Sequence, residues 1–275
     1  MTFLRAIAAE FQKVFTTRMW WLLAILLVAY VAFLAGGLGA FLGWAIENPD
    51  AAASAGNTQV PPGMNLAPLV YSFASSVGYV FPVLLGALAV TSEFRHKTLT
   101  PTFLADPQRS IVLAAKFLSQ LVLGAGLGVV AFATSIGAGA GALAVFGLDT
   151  GLDSSDTWAL IGRGVLAMAL WGTIGVGLGT LVTNQVAAIV IVIAFTQFVE
   201  PVLRLAASLS DLTANIGQFL PGAASDALVG ASFYSIASVG AAQSLEWWQG
   251  GLVLLAIGAV ATLIGGATTW RRDVT

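Results

Sequence analysis

The chain has 275 residues, of which 58% are hydrophobic and only 9% charged, where soluble domains average about 45–50% and about 25%. Such a chain has too little polar surface to face water on all sides, and a net charge of −2 without a basic stripe excludes the clustered Lys and Arg that nucleic acid requires. The absence of cysteine removes disulfides, thiolate metal sites and thiol nucleophiles.

The first element is an arm over residues 1–17. Phe3, Ile7, Phe11 and Val14 recur at helical spacing with Leu4, Ala8 and Phe15 beside them, while Arg5, Glu10 and Lys13 face elsewhere. That is the pattern of an amphipathic helix lying in a membrane interface. Span 1 follows over 19–46. Trp20 and Trp21 at one end and Trp44 at the other bracket 22 residues, about 33 Å of helix and one hydrocarbon thickness. The small-residue run at 51–56 looks like a signal cleavage site, but the apolar core before it is much longer than the roughly 7–15 residues of a signal peptide. Pro49, Pro61 and Pro62 make 47–68 a loop.

Span 2 is expected over 69–92 and span 3 over 111–146. The latter exceeds about 50 Å if wholly helical, so its first turns should lie at or beyond the interface. The stretch 164–199 carries no charge and is too long for one crossing. Thr183-Asn184-Gln185 is its only polar cluster, so the chain should break there into span 4 (158–182) and span 5 (from 186). Residues 201–249 are rich in apolar residues but interrupted by Pro221, Gly222 and Gly230, which predicts short helices dipping partly into the leaflet. Span 6 occupies 250–269, between Trp247-Trp248 and Trp270. The expected fold is an all-α integral membrane protein: six transmembrane helices, an amphipathic arm, and short helices between spans 5 and 6, in one domain of residues 1–275.

Glycines at 124, 126 and 128 in span 3 and at 172, 175, 177 and 179 in span 4 predict that these helices approach closely. IGVGLGT at 174–180 matches a dinucleotide fingerprint only on paper, because it follows no strand.

The charges sort by end. Nine of the eleven Lys and Arg residues fall in the arm (Arg5, Lys13, Arg18), the loop between spans 2 and 3 with its flank (Arg95, Lys97, Arg109, Lys116) and the tail (Arg271, Arg272). Nine of the thirteen acids fall in the segments between the other span ends, which hold only Arg163 and Arg204 as cations. Because cytoplasmic loops retain Lys and Arg during insertion, both termini are expected inside a bacterial cell membrane, with 201–249 extracellular.

In the loop, Glu93 and Lys97 stand at i and i+4 in the favourable order for a helical pair, with Pro101 as the expected stop. Asp106 followed by Pro107 predicts the next helix start. The loop at 93–110 thus reads as two short helices and a corner carrying Arg95, His96, Lys97 and Arg109. Such a knob serves either as a positive-inside anchor or as a docking element.

Glu93-Phe94-Arg95, Thr98, Pro107-Gln108-Arg109 and the later Lys116 resemble the cytoplasmic signature of ABC type-2 exporter permeases. FLPGAASDALVGA at 219–231 is similar to that family's segment before its last helix. Lys97 stands where many members have glycine. The resemblance implies a permease that dimerises, with itself or a paralogue, and couples to a separate cytoplasmic ATPase through a coupling loop holding Glu93, Phe94, Arg95, His96, Lys97, Thr98 and Arg109. It also implies outward movement of a solute, and span faces that offer Phe, Trp and Leu with few fixed polar groups suit an amphipathic or lipid-like one better than a sugar or an ion. The chain lacks a phosphate-binding G-x-x-x-x-G-K-[ST] motif, so ATP and Mg would be bound by the partner and no catalytic or metal site is expected in this chain.

Glu200 and Arg204 form another i,i+4 pair near the end of span 5. With Gln197 they read either as an outer gate or as an interfacial salt bridge, with Gln197 bonding a neighbouring helix and Arg163 snorkelling. The rival functional class is a secondary transporter or channel that works without an ATPase. Such carriers keep acidic residues or broken helices near the midplane.

Overall fold

The computed structural model describes residues 3–54, 65–105, 107–207, 211–231 and 245–270. Of the described residues 85% are helical and none is in a strand, and among them are six helical stretches long and apolar enough to cross a membrane. It is an all-α, multi-pass membrane protein.

Helix α1 (Phe3–Phe15) is the arm, and α2 (Met19–Glu47) is span 1. The predicted loop after it begins with a short helix, α3 (Pro49–Ser54), since proline at a first helical position needs no donor. Pro61 and Pro62 lie outside the described residues. Span 2 was expected as one helix and is instead two, α4 (Ala67–Ser76) and α5 (Val80–Arg95), separated at Val77 to Tyr79. Helix α6 (Leu99–Ala105) is the loop helix, and α7 (Arg109–Val145), unbroken over 37 residues, is span 3.

The charge-free stretch divides where its polar cluster predicts. Helix α8 (Ser155–Leu181) ends before it, and α9 (Gln185–Ala194) starts after Asn184. The Asn184 carboxamide oxygen accepts from the Val186 and Ala187 amides at 3.0 and 3.1 Å, satisfying two donors that a helix start leaves open. A π-helical turn over Phe195–Val199 links α9 to α10 (Glu200–Ala207) and completes span 5. Two short helices follow, α11 (Asp211–Gly217) and α12 (Pro221–Val229), and α13 (Trp247–Thr268) is span 6. The latter is closed by a capping box between Glu246 and Gln249.

The bundle centres on α8, which packs against α5, α7 and α13. Glycine makes this possible. A Cβ on Gly124 of α7 would stand 2.7 Å from the Met168 carbonyl of α8, and one on Gly172 of α8 2.6 Å from the Gln120 carbonyl of α7. The expected close approach of spans 3 and 4 is therefore present, with backbones touching where side chains would keep them apart.

The arm, the corner after α5, the turn at Asn184 and Trp270 just after α13 all lie at one end. Lys13 reaches Glu93, Arg95 reaches Gln185, and Arg109 reaches Trp270. At the opposite end Tyr71 donates to the Thr150 carbonyl at 2.6 Å, and Arg163 sits 5.0 Å over the Trp247 ring, so its charge is held by an aromatic face. The described bases of the arm and loop and the described acids between the other span ends thus occupy opposite ends of one bundle.

Candidate functional site

The corner after α5 is a helix C-terminus closed by a Schellman arrangement. Thr98 N donates to the Glu93 carbonyl at 3.0 Å and Lys97 N to the Phe94 carbonyl at 3.3 Å, and Lys97 takes φ +56°. This left-handed position is the one glycine usually fills. The predicted Glu93–Lys97 helical pair does not form, because the helix ends between the two residues and Lys97 turns away. Pro101 does not stop a helix either. It lies in the first turn of α6, where no backbone donor is required.

Arg95, His96, Lys97 and Thr98 are exposed, with the Arg95 guanidinium donating to Gln185 Oε1 at 3.1 Å. Leu104 on α6 is 80% exposed. Behind this surface Phe94 and Phe103 meet the buried Trp270 ring edge-on at 6.0 and 5.5 Å, and Arg109 stacks on Phe103 at 4.7 Å. Arg109 Nη1 donates to the Trp270 carbonyl at 3.1 Å, and Trp270 Nε1 returns a bond to the Arg109 carbonyl at 3.0 Å. That exchange fixes the start of α7 at Arg109, two residues after the predicted proline start, while Asp106 lies outside the described residues, as do Arg271 and Arg272. Of the sequence-predicted loop residues, Arg95, His96, Lys97 and Thr98 form the outer surface, and Phe94 and Arg109 form its support.

Glu93 points inward and belongs to a different group. Its Oε1 accepts from Lys13 at 2.7 Å and lies 3.2 Å from the Lys116 ammonium. Glu10 of the arm completes the square, with Oε1 2.6 Å from Lys13 and Oε2 2.5 Å from Lys116. Glu10, Glu93 and Lys116 are 4%, 5% and 1% exposed. Two acids and two bases therefore cancel, with Lys13 the one partly exposed member, and Lys116 also donates to the Ala89 carbonyl at 3.2 Å. Burial pushes the Glu10 carboxyl up, but the Lys116 and Lys13 ammonium groups with their hydrogen bonds outweigh it and hold the carboxyl below its ordinary range. Burial likewise pushes Lys13 down, and Glu10 and Glu93 together lift it above the ordinary lysine value.

The arm thus has three faces rather than the two that its periodicity predicts. Phe3, Leu4 and Phe15 are exposed, while Ala6, Glu10 and Val14 are buried. Glu10 was expected to face away from the apolar side, but its partner is 106 residues distant. A lone lysine between Ala115 and Phe117 was the available signal, since a charge in an apolar helix needs a partner.

A second polar site occupies the opposite half of the bundle, where the break in span 2 meets the π turn of span 5. Tyr79 donates to the Thr196 carbonyl at 3.2 Å and stacks on Trp171 with centroids 4.4 Å apart. Trp171 in turn donates to Ser225 of α12 at 3.1 Å. The predicted Glu200–Arg204 pair forms at 3.3 Å, and Arg204 also holds Asp226 at 2.6 Å, a partner not anticipated. Glu200 Oε1 additionally accepts from the Gly222 amide. Gln197 does not bond a neighbouring helix. It is exposed and donates weakly to Thr196 beside it at 3.4 Å. All of these residues but Trp171 border a cavity of about 270 Å³. Among the described residues no group of three His, Cys, Asp or Glu side chains is placed to hold a metal ion.

No protein-family model and no curated protein sequence matches the chain.

Proposed function

We propose that the chain is the transmembrane subunit of an ATP-driven exporter of the ABC type-2 kind. It sits in a bacterial cell membrane with the arm end cytoplasmic, pairs with a second permease, and couples to a separate ATPase that binds ATP and Mg. The observation carrying this reading is the exposed corner of Arg95, His96, Lys97 and Thr98, backed by interlocked Trp270, Arg109 and Phe103. A push on that surface would pass into α5 and α7 directly and into the arm through the Lys13–Glu93 contact. A basic surface held this rigidly suits a partner with an acidic rim. Glu93 serves that role from behind, as a tie between the corner and the arm.

The test is isolation of the tagged full chain from membranes of its own cells. The expected result is co-elution of a subunit carrying G-x-x-x-x-G-K-[ST], lost in Arg95→Glu/Lys97→Glu while the variant chain still inserts. Solute movement by the chain without any such subunit would overturn the reading. It would favour the alternative of a secondary transporter or channel, for which the two interrupted spans meeting at buried Glu200 are the specific support.

A further inference from the structure

The group at Glu200 is short of positive charge. Two carboxylates, Glu200 and Asp226, share one guanidinium, Arg204. Glu200 is 1% exposed, and its Oε1 is taken by Arg204 and the Gly222 amide, yet its buried Oε2 has no hydrogen-bond partner. Ser76, on the same cavity, likewise has a buried hydroxyl oxygen without a partner. A buried carboxylate oxygen left unpaired is costly.

We propose that this cavity binds the head group of a cationic amphiphile, a primary ammonium on an apolar tail, which donates to Glu200 Oε2 and to Ser76. An ammonium has three donors and no acceptor, which matches two unpaired oxygens in a pocket with a one-charge deficit. Phe73 and Tyr79 line the same cavity, and aromatic neighbours suit a cation. A hard divalent metal is a poor fit, since it takes six or more oxygen ligands. The cavity of about 270 Å³ lies near the lower end of the roughly 300–1,000 Å³ of small-molecule sites, so it holds a head group and not a whole lipid-like molecule. Phe198, Val202 and Leu205 on the same turns of span 5 are exposed and apolar, and they offer the tail a path along the bilayer.

That this amphiphile is the exported solute rests on the function proposed above, whereas its binding needs no ATPase. The two therefore fail separately. The experiment is calorimetric titration of n-octylamine into the full chain in zwitterionic nanodiscs, corrected with empty nanodiscs, beside n-octanol and octyl sulfate. Saturable binding is expected for the amine only, weakened at least tenfold in Glu200→Gln and about threefold in Ser76→Ala. Equal binding of octyl sulfate or octanol, amine uptake no greater than in empty nanodiscs, or unaltered affinity in both variants would overturn the proposal. Glu200→Gln also disturbs Arg204 and Gly222. If it does not fold, Ser76→Ala decides, because the Ser76 hydroxyl oxygen has no hydrogen-bond partner to lose.

Discussion

Lys116 and Glu10 meet at 2.5 Å with almost no access to solvent, joining the third span to the N-terminal arm across 106 residues of chain. A buried ion pair contributes little net stability over a well-packed apolar pair, but removing one partner strands the other. Lys116→Met would leave Glu10 and Glu93 sharing only Lys13, which is partly exposed. The expected cost is about 3–5 kcal/mol, read as a lower thermal midpoint in detergent. The arm should also become more sensitive to protease than the spans, since it loses its deepest anchor. An unchanged midpoint together with an equally resistant arm would show that the square does not hold the arm.

The same square sets a pH window for the arm. Glu10 has a folded-state pKa below its ordinary value of 4.5, so its stabilisation is fully present above that value and disappears as pH falls through the lowered one. Lys13 is raised above 10.5, so its share is fully present below that value and is lost as pH rises through the raised one. Arm protection against proteolysis is therefore expected to be flat from about pH 5 to 10 and to fall on both sides. Glu10→Gln should remove the acid limb, and a limb that persists in that variant would assign it to other groups.

The spans were legible because hydropathy and tryptophan belts are local signals, and the break at Asn184 was legible because its polar residues stand in an otherwise apolar run. The two ends of the bundle could be told apart because cations and anions cluster along the chain. What escaped the sequence depends on contacts between distant segments. Nothing marks Val77 to Tyr79 as a helix break, since Ser75-Ser76-Val77-Gly78 also fits a continuous span. Asp226 looked like one more outer acid until α12 brought it to Arg204. Glu93 carried the resemblance to exporter permeases as a loop residue, but its side chain turns into the protein toward Lys13 and Lys116.

Lys97 separates stability from the proposed coupling. A lysine held at φ +56° carries a left-handed penalty of about 1 kcal/mol that glycine does not. Lys97→Gly is expected to raise the stability of the corner by about that amount, seen as slower amide exchange at Thr98, whose amide closes the turn onto Glu93. The same substitution removes an exposed charge, so recovery of an ATPase partner should fall. A variant that gained stability and lost no partner would take Lys97 out of the docking surface and leave Arg95 and His96 to carry it.

The glycines of α7 and α8 provide a matched comparison. A Cβ on Gly172 would stand 2.6 Å from the Gln120 carbonyl, and backbone on both sides leaves nothing flexible to give way. A Cβ on Gly126, on the same helix as Gly124, meets nothing within 4 Å. Gly172→Ala should therefore force α7 and α8 apart, with a loss of about 1–3 kcal/mol from overpacking. Gly126→Ala should be neutral or stabilising by up to about 1 kcal/mol, since alanine gives up less backbone entropy in a helix. Thermal unfolding of the two variants in the same detergent checks the contrast. Equal effects would mean that α7 and α8 do not meet through their glycines, and the close approach at the centre of the bundle would have to be redrawn.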